Sequence, residues 1–298
     1  MITEEQKQAR KNFIGASDAA AAIGLNPYKT PLDVYLEKTG QVEPFAGNEA
    51  TYWGNLLEPM VAIRYELETG LKLRKHGMTI VSKIYPFMGC HIDRKVTGQP
   101  VVVEIKTGGF WTRNDWGGSG TDQIPDSVLV QVTHQMIVTD FKKALVAVLL
   151  GGQEFRHYEI EFDDSLAQII IDKEQAFWQY VVEQTPPPPT TQSDLKQLYP
   201  SDNGESITAT PDIEHIVEAL KTAKDIEKIA AGNVDGLELE LKSFIGNNTT
   251  LVDGKGQTLA SWKAQTTNRI DTSELKKELP EIAAKYTKAT ESRVLRIK

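Results

Sequence analysis

Residues 91–106, HIDRKVTGQPVVVEIK, decide how the rest of the chain is read. Val101–Lys106 is β-branched and mostly apolar, and Gly98 and Pro100 bound it upstream, so the spacing predicts a buried strand. Side chains alternate across a strand, which puts Glu104 and Lys106 on one face and Val103 and Ile105 on the other. His91–Val96 reads as the preceding strand and Thr97–Pro100 as its turn, a hairpin that brings Asp93 beside the Glu104/Lys106 pair.

Two carboxylates converging on one point repel, and a divalent cation is the simplest partner that holds them together. Mg2+ suits such a place, because it prefers oxygen and takes one or two carboxylates with waters and a substrate phosphate. The main-chain carbonyl of Ile105 adds a further oxygen. Lys106 is then placed to orient and deprotonate a water or to stabilise charge on a phosphate. The same spacing fits a solvated hairpin carrying a surface ion pair, so this segment alone leaves both readings open.

The chain has 298 residues, enough for a large core and more than one folding unit, and its 40% hydrophobic and 25% charged content describes a soluble globular protein. No apolar run reaches membrane-spanning length, and the opening MITEEQKQAR is too polar for a signal peptide, so no membrane association and a cytoplasmic location are expected. Cys90 is the single cysteine and reads as a core residue rather than a reactive thiol. The net charge of −8, from 33 basic and 41 acidic residues, excludes a protein coated in positive charge. Nucleic-acid affinity must then be local, in a groove where phosphates also meet a metal.

Upstream of the hairpin, Thr3–Asn12 reads as a short helix capped by Thr3 with Glu5 or Gln6 in its first turn, and Ala19–Ile23 as an alanine-rich helix capped by Ser17 or Asp18. Ser17, with Arg10 or Lys11 nearby, is either a phosphate clamp or a plain cap. Helices are expected at Pro31–Thr39 and Thr51–Glu68, the second buried over much of its surface by apolar residues such as Trp53, Leu56, Met60, Ile63 and Leu67. Within it, Glu58 is on the solvent face or directed at a metal or basic group, and Pro59 distorts the helix unless it lies near the start. Lys72–Val81 and Tyr85–Cys90 read as strands.

Downstream, Phe110–Asp126 is a loop in which Trp111 and Trp116 either stack on bases or anchor the loop. Pro125–Thr139 follows as a helix with Gln131 and Gln135 on one face, then strands at Lys143–Leu150 and Phe155–Phe162 and a helix at Asp164–Glu183. The run Pro186–Pro189 marks the best boundary, which gives a domain at 1–185, a linker at 186–206 and an extension at 207–298. That extension reads as a helix at Pro211–Ala231, a break at Gly232, a continuation at Val234–Gly246, short strands within Asn248–Lys263 and a helical region at Ser273–Ala289. It carries no catalytic constellation and is expected to serve packing, oligomerisation or partner binding.

Four segments in order, GASDAAAAIGLNPYKTPLDVYLEKTG (15–40), WGNLLEP (53–59), the Asp93 to Glu104-Ile105-Lys106 pattern and VQVTHQMIVT (130–139), resemble the YqaJ-like phage-type recombination exonucleases. These are related to phage lambda exonuclease, within the PD-(D/E)XK restriction-endonuclease-like superfamily. The resemblance implies an α/β (α+β) core with a central mixed sheet flanked by helices, followed by a mainly helical C-terminal extension. By resemblance, Asp93 and Glu104 are metal-binding carboxylates, Ile105 lends a carbonyl, Lys106 is the catalytic lysine, Glu58 stands at the edge of the metal site, Gln131 is the glutamine that follows, and Arg10 and Ser17 hold a 5′-phosphate. The implied activity is that of a 5′-to-3′ exonuclease dependent on Mg2+, with Mn2+ as a substitute, acting on linear double-stranded DNA and leaving 3′ overhangs for a single-strand annealing protein. A homo-oligomeric ring, trimer or tetramer, and a phage or prophage origin in a bacterial host are implied as well. An endonuclease of the same fold and a non-catalytic DNA-binding phage protein are the alternatives. The long acidic segment after Pro189 departs from the family pattern.

Overall fold

The computed structural model describes residues 9–43, 45–289 and 291–297. A 3-10 turn at Arg10–Asn12 leads into β1 (Ile14–Gly15), α1 (Ala16–Ala22), α2 (Pro31–Lys38) and α3 (Glu49–Thr69). Then come β2 (Leu73–Lys75), β3 (Ile80–Val81), β4 (Met88–Cys90), β5 (Arg94–Val96) and β6 (Val101–Gly108). A 3-10 turn at Phe110–Asp115 precedes α4 (Asp126–Thr139), β7 (Lys143–Leu150), β8 (Glu154–Glu161), α5 (Asp164–Val182) and α6 (Gln192–Leu198). Beyond these lie α7 (Pro211–Ile245), β9 (Thr250–Val252), β10 (Thr258–Ser261), α8 (Thr272–Glu278) and α9 (Pro280–Tyr286). The expected Thr3 cap, with Glu5 and Gln6, lies outside the described residues. No described helix is long and apolar enough to cross a membrane.

The central sheet runs β2-β5-β6-β7-β8, with β6 and β7 parallel and every other pair antiparallel. A parallel pair needs a crossover, and α4 supplies it. One sheet face, through Val102, Val146, Val148 and Tyr158, packs under Val132 and Met136 of α4. The other, through Val101, Val103, Ile105 and Ala147, packs under Val61, Ala62 and Tyr65 of α3. The fold is thus a mixed α/β core, a central mixed sheet flanked by helices with a mainly helical C-terminal extension, as the resemblance implies.

A small second sheet, β1-β4-β3, ties the N-terminal segment to the core. Gly89 makes the approach possible, because a Cβ there would lie 2.5 Å from the Phe13 ring. Behind β4, the buried His134 of α4 bonds Glu174 Oε1 of α5 at 2.8 Å and the Gly89 carbonyl at 3.0 Å, pinning three elements together.

Several elements differ from expectation. Helix α3 is buried only at Val61, Ala62 and Tyr65, because a single narrow stripe meets the sheet, and Trp53, Leu56, Met60, Ile63 and Leu67 face away and are exposed. Pro59 sits in its middle, not near its start, and withholds the N–H that the Asn55 carbonyl would otherwise receive. Trp116 is buried against Tyr158 and anchors its loop, while Trp111 is 89% exposed.

The chain divides into two compact units, 1–198 and 199–298. Residues 190–198 belong to the first: Asp194 is buried, accepts from Thr190 N at 2.7 Å and Thr191 N at 3.1 Å, and takes the hydroxyl of Thr30 at 3.0 Å. The segment expected as a linker from residue 186 therefore includes a docked helix. In the second unit, Gly232 does not break the helix, and α7 runs unbroken through it from Pro211 to Ile245.

Candidate active site

The β5–β6 hairpin pairs Arg94 with Val103 and Lys95 with Val102, and the ladder stops there. Continuing that register sets Asp93 opposite Glu104. Where the next strand bond would fall, the Asp93 side chain takes over: its Oδ2 accepts the Ile105 N–H at 2.9 Å. A residue's N–H and C=O point to the same side of a strand, so the Ile105 carbonyl also faces the side that β5 has vacated.

On the α4 face of β6, Glu104 is 3% exposed and both of its oxygens accept hydrogen bonds. Its Oε1 accepts from Lys106 Nζ at 2.7 Å and Gln131 Nε2 at 2.6 Å, and its Oε2 accepts from Gln135 Nε2 at 2.7 Å. Gln131 closes a triangle by accepting from Lys106 Nζ at 2.8 Å. One turn apart on α4, the two glutamines reach the two oxygens of one carboxylate. Burial would depress the Lys106 ammonium, but the Glu104 carboxylate, helped by Asp93, outweighs it and raises Lys106 above its ordinary value. For Asp93 both main influences act the same way: burial first, then Glu104, push its carboxyl up to about 7, against the Ile105 N–H bond and Lys106.

Glu58 is directed at a basic group, not at open solvent. Arg94 donates to it and, from the same Nη1, to the Asp93 carbonyl at 2.9 Å. Arg94 is not among the residues the sequence singles out, although its place directly after Asp93 is a signal. Nor is His91, whose Nε2 bonds Thr79 Oγ1 at 2.7 Å.

At the other end of the site, Arg10 Nη2 donates to Ser17 Oγ. Ser17 is not a helix cap: α1 begins at Ala16 with Gly15 at the cap and no side-chain bond there. Lys38 fixes this corner. Its buried Nζ bonds the Arg10 carbonyl at 2.8 Å and Asp18 Oδ2 at 2.9 Å, while Lys29 takes Asp18 Oδ1 at 3.0 Å. Burial would raise the Asp18 carboxyl, but Lys38, Lys29 and Arg10 outweigh it and hold it well below the usual carboxylate range.

All eight residues singled out from sequence, Arg10, Ser17, Glu58, Asp93, Glu104, Ile105, Lys106 and Gln131, line one cavity of about 530 Å3, with Thr51, Asn55, His91 and Thr107 among their neighbours. Among the described residues no three His, Cys, Asp or Glu side chains are grouped as a metal cage. Glu58 is drawn off by Arg94, which leaves two carboxylates. Two carboxylates with a free carbonyl still fit a hard cation that keeps several waters, as Mg2+ does. Asp93 Oδ1 takes no hydrogen bond among the described residues, and the Ile105 carbonyl has no strand partner on its side.

Residues 5–142 match the YqaJ-like viral recombinase domain. The chain is 33% identical to the uncharacterized protein YqaJ of Bacillus subtilis, in an alignment that covers 100% of this chain and 95% of that one. Its fold is similar to the alkaline exonuclease LHK-Exo of Laribacter hongkongensis, with a TM-score of 0.51 and 21% identity over 61% of this chain and 94% of that one. The dAMP complex of LHK-Exo gives the same TM-score, 0.51, at 22% identity and the same coverage, 61% and 94%. With the four motifs spread along one cavity and a relative matched from end to end, the chain belongs to the YqaJ-like viral recombinase family.

Proposed function

We propose that this protein is a divalent-metal-dependent deoxyribonuclease that shortens one strand of linear double-stranded DNA from its 5′ end. The observation that carries this reading is the sharing of one cavity by the Asp93/Glu104/Lys106 cluster and the Arg10–Ser17 pair. The first cluster suits phosphodiester hydrolysis and the second suits a terminal phosphate, so their union suits cleavage counted from an end.

Asp93, Glu104 and the Ile105 carbonyl are the residues that would hold Mg2+, or Mn2+ in its place. When bound, the cation supplies charge relief at the phosphate and makes water easier to deprotonate. Lys106 is held by Glu104 and Gln131 and offers its remaining N–H to the scissile phosphate or the attacking water. Gln131 and Gln135 keep Glu104 from rotating. Arg10, with Ser17 Oγ, receives the 5′-phosphate as a charge-assisted pair. Contacts of this kind go to the backbone, so base preference is low. The 3′ strand left behind is the natural substrate of a single-strand annealing protein.

Digestion of three DNAs, linear duplex with 5′-phosphate, linear duplex with 5′-hydroxyl and closed circle, each with and without Mg2+, tests this. Mg2+-dependent nucleotide release from linear ends, faster with 5′-phosphate, is expected, and the circle should survive. Cutting of the circle would make the protein an endonuclease, and inertness with Mg2+ and Mn2+ alike would make it a non-catalytic DNA-binding protein.

A further inference from the structure

Helix α7 carries a surface that the nuclease reading does not use. Stepping three and then four residues from Ile213, the chain places an apolar side chain at every stop to Phe244 except Glu227. That alternation averages the 3.5-residue repeat of a helix wound against another helix in a left-handed supercoil. The side chains of this seam are largely exposed: Ile216 is 59%, Leu237 67% and Phe244 77% exposed, and among the described residues of α7 Ile245 alone is buried. Gly232, Asn233 and Gly236 lower the helix propensity of its second half, and isolated helices depend on packing for stability. A helix of this length and composition needs a partner along its whole seam.

We propose that α7 pairs with α7 of a second copy of this chain, antiparallel, with the two-fold axis between Glu227 and Ala230. About that point the seam matches itself. Ile213 meets the partner's Phe244, Ile216 meets the partner's Leu241, Leu220 meets the partner's Leu237, and Ala223 meets the partner's Val234. Bulky layers thus lie toward the ends and small ones at the centre. A parallel pair would stack Glu227 on its own copy in a buried layer, where like charges repel and cannot be solvated. The antiparallel pair sets the small side chain of the partner's Ala230 against it, and the carboxylate can extend past to water.

The outer face of α3 is the rival occupant. Trp53, Leu56, Met60, Ile63 and Leu67 follow the same three-four spacing and are exposed. At about 1.5 Å per residue that seam is ~21 Å long against ~46 Å for α7, so it would cover less than half. Self-pairing covers all of it.

The full chain at micromolar concentration, measured by sedimentation equilibrium, should have an even multiple of the chain mass. Leu220→Asp with Leu237→Asp should lower that mass twofold while the thermal transition of the first unit stays in place. Lys221→Asp, off the seam, should leave the mass unchanged. The direction is read by oxidation: Ala223→Cys with Val234→Cys in one chain should give a disulfide-linked dimer, and Ala223→Cys alone should not, the native Cys90 being buried. A monomer, an odd-numbered ring, or a mass indifferent to the seam substitutions would overturn the pairing. So would cross-linking of Ala223→Cys alone, or loss of the dimer on Leu56→Asp with Ile63→Asp instead.

Discussion

The Ile105 N–H donates to Asp93 Oδ2 at 2.9 Å, at the step of the hairpin where β5 has ended. One carboxylate therefore does two jobs, with Oδ2 finishing the strand ladder and Oδ1 left to the cavity. Asp93→Asn can keep the first job, since an amide oxygen still accepts, and loses the second. The expected result is a folded protein whose hydrolysis of linear DNA falls by more than the ~10- to 100-fold typical of losing a group that only orients a metal ligand, because Asp93 is the proposed ligand itself. Nucleotide release under saturating Mg2+ measures it, with circular dichroism to confirm the fold.

The same residue sets a pH dependence. In the folded chain with a chelator present, burial and then Glu104 push the Asp93 carboxyl up to about 7, whereas an unfolded aspartate ionises near ~3.9. A folded-state value raised above the unfolded one contributes stability that is complete below the unfolded value and is lost as pH rises through the folded one. Wild type should therefore lose melting temperature relative to Asp93→Asn between about pH 4 and pH 8. Parallel curves for the two proteins would show that neither burial nor Glu104 raises the Asp93 carboxyl.

Gln131 and Gln135 both serve Glu104 but should fail differently. Gln131 also accepts from Lys106, so Gln131→Ala frees the lysine and should lower kcat about 10- to 100-fold with little change in melting. Gln135 is buried, with its own Oε1 unpartnered among the described residues, and its Nε2 donates to Glu104 Oε2. Gln135→Leu leaves a buried carboxylate oxygen bare, at a cost of about 1–3 kcal/mol, and should show first as a lower melting temperature.

Cys90 lies on β4 behind the site, fully buried, and its thiol is pushed up to about 12 by burial and then by Glu104. Because the thiolate is the reactive form, iodoacetamide at about pH 8 should leave the native chain unlabelled and modify it fully in denaturant. Labelling of the native chain at the rate of a free thiol would show that β4 opens.

Local periodicity already carries much of this site. A strand's period of two sets Glu104 with Lys106, and a helix's step of four sets Gln131 with Gln135. The turn Thr97–Pro100 brings Asp93 back to them, with Gly98 at φ 77° where a left-handed residue is required. What escapes local rules is what distant contacts decide. A serine and aspartate before an alanine run read as a cap, but pairing of β1 with β4 starts α1 earlier, and Ser17 and Asp18 turn to Arg10 and the lysines instead. The apolar periodicity of α3 cannot say which of its two stripes meets the sheet. Nor does a glycine stop a helix whose next turns continue the same seam, as α7 shows at Gly232.

Lys38 tests whether the phosphate corner is held from behind. Its side chain is 4% exposed and makes no use of the cavity itself; it bonds the Arg10 carbonyl on one side and Asp18 on the other. Asp18 keeps Lys29 when Lys38 is removed, so Lys38→Met should destabilise by less than the about 3–5 kcal/mol of a buried charge left wholly unpaired, and adding Asp18→Asn should return part of it. The double substitution still lacks the donor to Arg10, so Arg10 is less well fixed beside Ser17. If Lys38 acts by positioning, the double variant should hydrolyse 5′-hydroxyl ends at the wild-type rate and lose its preference for 5′-phosphate ends. A uniform fall on both substrates would mean that Lys38 holds the fold and nothing more specific, because loss of folded protein cannot distinguish one DNA end from the other.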